Sequence, residues 1–187
     1  MAQLAPELAE TLARVPQVDP ETGLYVEEVE PNLFYVTEGI YQSAFLKTGQ
    51  GIIVFDAPPS FAHMLPDAIK RYAPNEPILY LVYSHGHSDH VGGASAFTDV
   101  EGLQVVAHED VADAIAEKAN PGILPPTITF EDHRCSALFL DELLEQRERR
   151  LMGVRNRVAK ARCVDEVVGL AHWHYLTHVG SVSWSLP

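Results

Sequence analysis

The chain has 187 residues, 47% of them hydrophobic, and a formal net charge of −13 at pH 7. A single domain of this size can fold without disulfides, and the only cysteines, Cys135 and Cys163, provide no disulfide framework. The acidic charge argues against a nucleic-acid partner. No apolar run approaches the roughly 18 residues of a membrane span, so we expect a soluble cytoplasmic protein.

The first predicted element is an amphipathic helix, MAQLAPELAETLARVP, which lacks the basic start and apolar run of a secretory signal. Three strands follow it: NLFYVTEG, YQSAFLKTG and GIIVFDAPP. The short glycine-bearing turns between them predict an antiparallel meander. The run IIVF is apolar enough for a buried central strand.

The middle of the chain alternates helix and strand. The segment FAHMLPDAIKRYAP predicts a helix with Leu65, Ile69 and Tyr72 on one face, and PILYLVYS predicts a strand buried on both faces. A short helix from about Val91 to Phe97, the strand LQVVAH, the helix EDVADAIAEKA and a strand in PGILPPTITFED follow. Strands first and then alternating helices and strands indicate an α/β domain with helices layered on a sheet.

From about residue 133 the composition changes. Residues 1–132 hold 20 acidic and 5 basic side chains, whereas residues 133–187 hold 6 and 8. Both cysteines, both tryptophans and seven of the nine arginines lie in the second part. This part carries one long helical pattern near 138–162, with an apolar stripe from Leu140 to Val158. The shift predicts an atypical C-terminal segment, produced by truncation, by a frame shift or by a divergent extension.

One segment, YSHGHSDHVGG, places His85, His87, Asp89 and His90 in six consecutive positions. The first two side chains project to the same side of an extended segment, and the other two lie past a local bend. Imidazole nitrogen and carboxylate oxygen are the usual ligands of zinc and related ions. Two such ions about 3.5–4 Å apart can hold and activate a bridging water. The pattern therefore predicts a metal site, and the alternative is a histidine-rich polar surface loop.

The run HGHSDH resembles the H-x-H-x-D-H signature of the metallo-β-lactamase-fold hydrolases, and it leads from an apolar strand through VGGA into a helix, as in that family. The resemblance covers residues of about 30–132 and implies a metallo-β-lactamase-like αββα sandwich, with 1–132 as its N-terminal half. It further implies that His85 and His87 bind a first zinc ion, and that Asp89 and His90 bind a second. Asp89 would also be catalytic, because it would orient the nucleophilic hydroxide.

Asp56, at the end of IIVFDAPP, matches the acidic residue that supports the metal loop in that family; the alternative is a turn or capping residue. The family's remaining ligands usually lie in glycine-flanked turns, which this sequence lacks beyond residue 132. An alternative source of ligands is the run AHWHYLTH, which contains His174 and His178. We expect, however, that these two histidines do not bind the metal. The fold is therefore expected to be incomplete in its C-terminal half.

The function implied by the resemblance is metal-dependent hydrolysis. A metal-bound hydroxide would attack an ester, thioester, amide, lactone or related bond of a small-molecule substrate. The alternative is a catalytically inactive or truncated metal-binding member of the same superfamily. An incomplete fold leaves apolar sheet surface uncovered, which predicts self-association.

Overall fold

The computed structural model describes residues 16–131, and within this range the chain forms one seven-stranded sheet whose strand order follows chain order. The strands are β1 (Tyr25–Glu30), β2 (Leu33–Thr37), β3 (Gln42–Lys47), β4 (Ile52–Phe55), β5 (Ile78–Val82), β6 (Gln104–His108) and β7 (Ile128–Phe130). The helices are α1 (Leu65–Tyr72), α2 (Ser88–Val91) and α3 (Glu109–Lys118), with short 3-10 helices at Ala62–Met64 and Ala94–Phe97. The predicted helices at the N-terminus and near 138–162 lie outside the described residues.

The sheet is antiparallel from β1 to β4 and parallel from β4 to β7. The predicted α/β class and the predicted meander are therefore confirmed. The prediction missed β1, because its sequence YVEEVE is rich in glutamate, a residue depleted in strands. Backbone pairing with β2 and packing of Val26 against the core outweigh that low propensity.

Two apolar clusters lie on opposite faces of the sheet, because successive side chains of a strand project to opposite sides. On β2, Phe34 belongs to one cluster and Tyr35 to the other. The first cluster also contains Leu65 and Ile69 of α1, as predicted, together with Ile115 of α3. Among the described residues, the second cluster consists of strand side chains alone, and its core members are buried. The described helices therefore pack on the first face.

Tyr72 lies at the end of α1 and, unlike Leu65 and Ile69 of the same helix, it is partly exposed, with 41% of its surface accessible. Its ring still packs on the edge of the core, with centroids 5.2 Å from Phe34 and 6.2 Å from Phe45. No helix in the described range is long and apolar enough to cross a membrane.

Gly93 lies between α2 and the following 3-10 helix, where its backbone contacts the segment after β4. Its N–H donates to the carbonyl of Ala57 over 2.9 Å. A Cβ at this position would lie 2.5 Å from the Cβ of Ala62 and 2.8 Å from the oxygen of Ala57. We therefore expect Gly93→Ala to lower the free energy of unfolding by about 1–3 kcal/mol, measured by urea denaturation.

A matched control for this substitution is Gly86→Ala. A Cβ on Gly86 would have its nearest neighbour at 3.7 Å, which is ordinary van der Waals contact. We expect the control to change the free energy of unfolding by less than about 0.5 kcal/mol. If both variants lost the same free energy of unfolding, the close contacts of Gly93 would not be the cause of the loss in Gly93→Ala.

Candidate metal centre

The histidine segment, residues 83–93, begins at the C-terminal end of β5, as predicted. His85 and His87 lie in irregular backbone before α2. The bend expected beyond them is the helix α2, which contains Asp89 and His90. This helix begins at Ser88, three residues before the predicted start at Val91. The turn closes early because the carbonyl of His87 accepts hydrogen bonds from the N–H groups of His90 and Val91, both over 3.1 Å.

The structure brings together Asp56, His85 and His90. Each offers one potential ligand atom, and these three atoms lie within 4.8 Å of one another. The two imidazole rings have centroids 4.2 Å apart. Zinc bonds of about 2.0–2.2 Å place the ligand atoms of one ion roughly 3–4 Å apart. The three residues are therefore of the type, and near the spacing, that a divalent metal requires.

Asp56 holds this group together from the position that follows β4. Its buried carboxylate accepts a hydrogen bond from the Ser84 N–H over 2.8 Å and another from the Ser84 hydroxyl. Its Oδ2 also lies 3.7 Å from Nδ1 of His90. The backbone of Asp56 is left-handed, with φ of 61°, a conformation that is costly for a residue other than glycine. These contacts favour the supporting role over that of an ordinary turn residue.

Ser84 links Asp56 to His85, and the sequence interpretation missed it. Its hydroxyl oxygen lies 2.8 Å from Nδ1 of His85 while its proton is donated to Asp56. In this arrangement Nδ1–H of His85 donates to Ser84, which leaves the lone pair of Nε2 for a metal. The only signal in the sequence was a small hydroxyl residue between a strand and the first histidine.

The two histidines of the group have opposite pKa shifts. Burial lowers the pKa of His85, and the neighbouring His90 lowers it further. Neutral imidazole, the form that this shift favours, is also the form that binds metals. The pKa of His90 is raised, because its interaction with the Asp56 carboxylate outweighs partial burial. The Asp56 carboxylate therefore provides negative charge where a cation would be held.

The other two predicted ligands, His87 and Asp89, are exposed and lie outside the three-residue group. The ring of His87 is in edge contact with that of His85, with centroids 4.8 Å apart. Both residues line a cleft that borders the C-terminal end of α3. The described residues thus bring His85 together with His90 and Asp56, and metal binding by His87 and Asp89 stays a prediction. His174 and His178 lie outside the described residues.

Comparison with known proteins gives one family match. The family model described as Metallo-beta-lactamase superfamily matches residues 36–185, a range that includes the whole histidine segment. The match also extends into the C-terminal segment, and the boundary expected near residue 132 stays a prediction.

Relatives and solved structures cover shorter parts of the chain. The alpha subunit of 2,4-dinitroanisole O-demethylase from Nocardioides sp. (strain JS1661) is 30% identical over 123 residues, which are 64% of this chain and 37% of that protein. The chain thus spans little more than a third of that relative. A metallo-beta-lactamase from Pontibacter korlensis is 22% identical with a TM-score of 0.50, covering 59% of this chain and 54% of that one. A subclass B3 metallo-beta-lactamase of Bradyrhizobium japonicum is 24% identical with a TM-score of 0.49, covering 58% and 46%.

Proposed function

The chain belongs to the metallo-beta-lactamase superfamily, and from this premise we propose that it is a zinc-dependent hydrolase. The observation that carries the proposal is the group of Asp56, His85 and His90 at the end of β5. Imidazole is a typical zinc ligand, and Ser84 and Asp56 orient the rings of His85 and His90.

The proposed roles follow the order of the histidine segment. His85 and His87 are proposed ligands of a first ion, and Asp89 and His90 of a second. Bound zinc would supply a water whose pKa is lowered toward neutrality and which can act as a nucleophile. Asp89 would orient that nucleophile, and Asp56 would keep His90 and the Ser84 backbone in place. Suitable substrates are small molecules with an ester, thioester, amide, lactone or related bond.

The alternative is a catalytically inactive or truncated metal-binding protein. The specific observation in its favour is that only three candidate ligands converge among the described residues, while His87 and Asp89 are exposed. Three protein ligands can hold one zinc ion, but a second ion needs ligands of its own.

Metal content distinguishes these functions. After incubation with zinc and gel filtration, the hydrolase should retain about two equivalents of zinc per chain, because paired ions are expected to share the histidine segment. It should also turn over a simple aryl ester or lactone, and treatment with a chelator should abolish that turnover. One equivalent or none, without turnover, would instead support the inactive protein.

Substitutions in the C-terminal segment test which residues complete the centre. His174→Ala and His178→Ala should leave zinc content unchanged, because we expect neither residue to be a ligand. His87→Ala should lower zinc content by about one equivalent, measured by elemental analysis of the purified protein. A loss in the His174 or His178 variant as large as in the His87 variant would show that the C-terminal segment supplies ligands.

We further propose that the chain self-associates through apolar sheet surface. Support comes from the change in composition beyond residue 132, because a fold that is incomplete in its C-terminal half would leave apolar sheet surface uncovered. Light scattering coupled to gel filtration should give a mass above that of one chain, 20.7 kDa. A monodisperse monomer at micromolar concentration would refute this proposal.

A further inference from the structure

A cleft of about 330 Å³ lies beside the metal centre, between the histidine segment and the C-terminal end of α3. Residues 86–89 form one wall, and Ile115, Lys118, Asn120 and Ile123 form the other. This volume is within the range of small-molecule sites, about 300–1,000 Å³. A molecule in the cleft would contact His87 and Asp89, the exposed members of the predicted ligand set. The cleft is therefore the natural place for the part of a substrate next to the reacting bond.

The loop after α3 is fixed to the histidine segment and to the 3-10 helix that follows it by hydrogen bonds. The Ser95 N–H donates to the carbonyl of Gly122 over 2.9 Å, and the Tyr83 hydroxyl donates to the carbonyl of Leu124 over 2.8 Å. A Cβ on Gly122 would lie 2.1 Å from the oxygen of Gly92, so the two backbones are in direct contact. The backbone at residues 122–124 therefore has a defined position relative to the metal centre.

Lys118 gives this wall its positive charge. Of the four basic residues in the described range, it is the one that lines the cleft; the others are Lys47, Lys70 and Arg71. No hydrogen bond or ion pair joins the ammonium group of Lys118 to another described residue. An exposed ammonium group without a partner can bind a carboxylate as a compact point charge. The domain is otherwise strongly acidic, so its outer surface would repel the same carboxylate.

The apolar part of the wall limits what the carboxylate can be attached to. Ile115 is buried beneath the cleft, and Ile123 packs against the same apolar cluster. They add a short hydrocarbon surface to the cleft that Lys118 and the histidine segment line. Such a surface suits a few methylene groups better than a second charge.

We infer that Lys118 is a specificity-determining residue, and that the substrates are esters or related acyl compounds with a carboxylate separated from the reacting bond by a short apolar chain. The inference rests on the proposed hydrolase function. The substrate's carboxylate would bind the Lys118 ammonium group, its chain would lie on Ile115 and Ile123, and its reacting bond would lie next to the histidine segment.

Kinetics on two matched esters test this inference with the zinc-loaded full chain. The esters are 4-nitrophenyl butanoate and mono-4-nitrophenyl succinate, which differ in a terminal carboxylate. Lys118→Met should lower kcat/KM for the succinate ester about five- to tenfold and change that for the butanoate ester less than twofold. Lys70→Met removes an exposed lysine of α1 and should change neither value. Equal effects of Lys118→Met on the two esters, or no effect, would overturn the inference.

A binding measurement separates failure of this inference from failure of the proposed function. The amide analogues N-(4-nitrophenyl)succinamate and N-(4-nitrophenyl)butanamide, which react far more slowly than the esters, are titrated calorimetrically into the same three proteins, and release of 4-nitroaniline is monitored to exclude turnover during the titration. Lys118→Met should weaken binding of the succinamate about fivefold and leave binding of the butanamide unchanged. If wild-type protein hydrolyses neither ester, the hydrolase proposal fails, and the titration still decides the role of Lys118. Equal affinity of wild type and Lys118→Met for the succinamate would overturn that role.

Discussion

Replacing Asp56 with asparagine should lower zinc affinity about 10- to 100-fold, the range expected when a group that orients metal ligands is removed. The substitution keeps the size of the side chain but removes the charge 3.7 Å from His90. It also offers an amide N–H₂ group where the carboxylate now accepts two hydrogen bonds from Ser84. Both rings of the group would lose their fixed orientation. Competition with a chromogenic zinc chelator measures the change, and ester turnover should fall with it.

Two controls define what a loss in the Asp56→Asn variant means. Asp67→Asn removes an exposed carboxylate of α1 and should leave zinc affinity unchanged. Ser84→Ala keeps the backbone N–H that donates to Asp56 but removes the hydroxyl that contacts His85, so we expect a smaller loss, of roughly two- to tenfold. Unaltered zinc affinity in the Asp56→Asn variant would show that Asp56 only closes its strand.

Replacing Phe45 with alanine should lower the free energy of unfolding by about 3–5 kcal/mol, the usual cost of deleting a fully buried aromatic ring. Phe45 is 0% exposed and lies on β3 between β2 and β4. Its ring stacks on Phe34, directly opposite on β2, with centroids 4.6 Å apart and planes 3° from parallel. Because total stabilities are about 5–15 kcal/mol, the variant should be largely unfolded at modest urea concentrations. Urea denaturation followed by circular dichroism measures the midpoint.

A surface residue provides the comparison for Phe45. Ile40 is 74% exposed in the turn between β2 and β3, so Ile40→Ala should change the free energy of unfolding by less than about 0.5 kcal/mol. Phe45→Leu retains most of the apolar volume and should lose about 1–2 kcal/mol, so it remains measurable if the alanine variant does not fold. Similar midpoints for Phe45→Ala and Ile40→Ala would contradict the central place of this ring in the core.

Local patterns in the sequence were sufficient to predict the strands and the loop on which the candidate metal centre is built. The apolar runs in β4 and β5 predicted buried strands, because parallel strands covered by helices need side chains that tolerate burial on both faces. The spacing of His85 and His87 after β5 predicted a metal loop at the end of that strand, because neighbouring residues are constrained by the chain itself. The short helix was placed three residues late, since the carbonyl of His87 begins the turn before any apolar periodicity is visible.

The composition of the metal centre was decided by tertiary structure. Phe55 pairs with Val82 in the parallel ladder of β4 and β5, and this register places Asp56 beside Ser84, 28 positions further along the chain. A shift of that register by one residue would turn the carboxylate to the other side of the sheet. The cleft bordered by Lys118 likewise depends on the contact of Gly122 with Gly92. The sequence by itself therefore determined which residue types could bind a metal, whereas strand register and loop packing decided which of them meet.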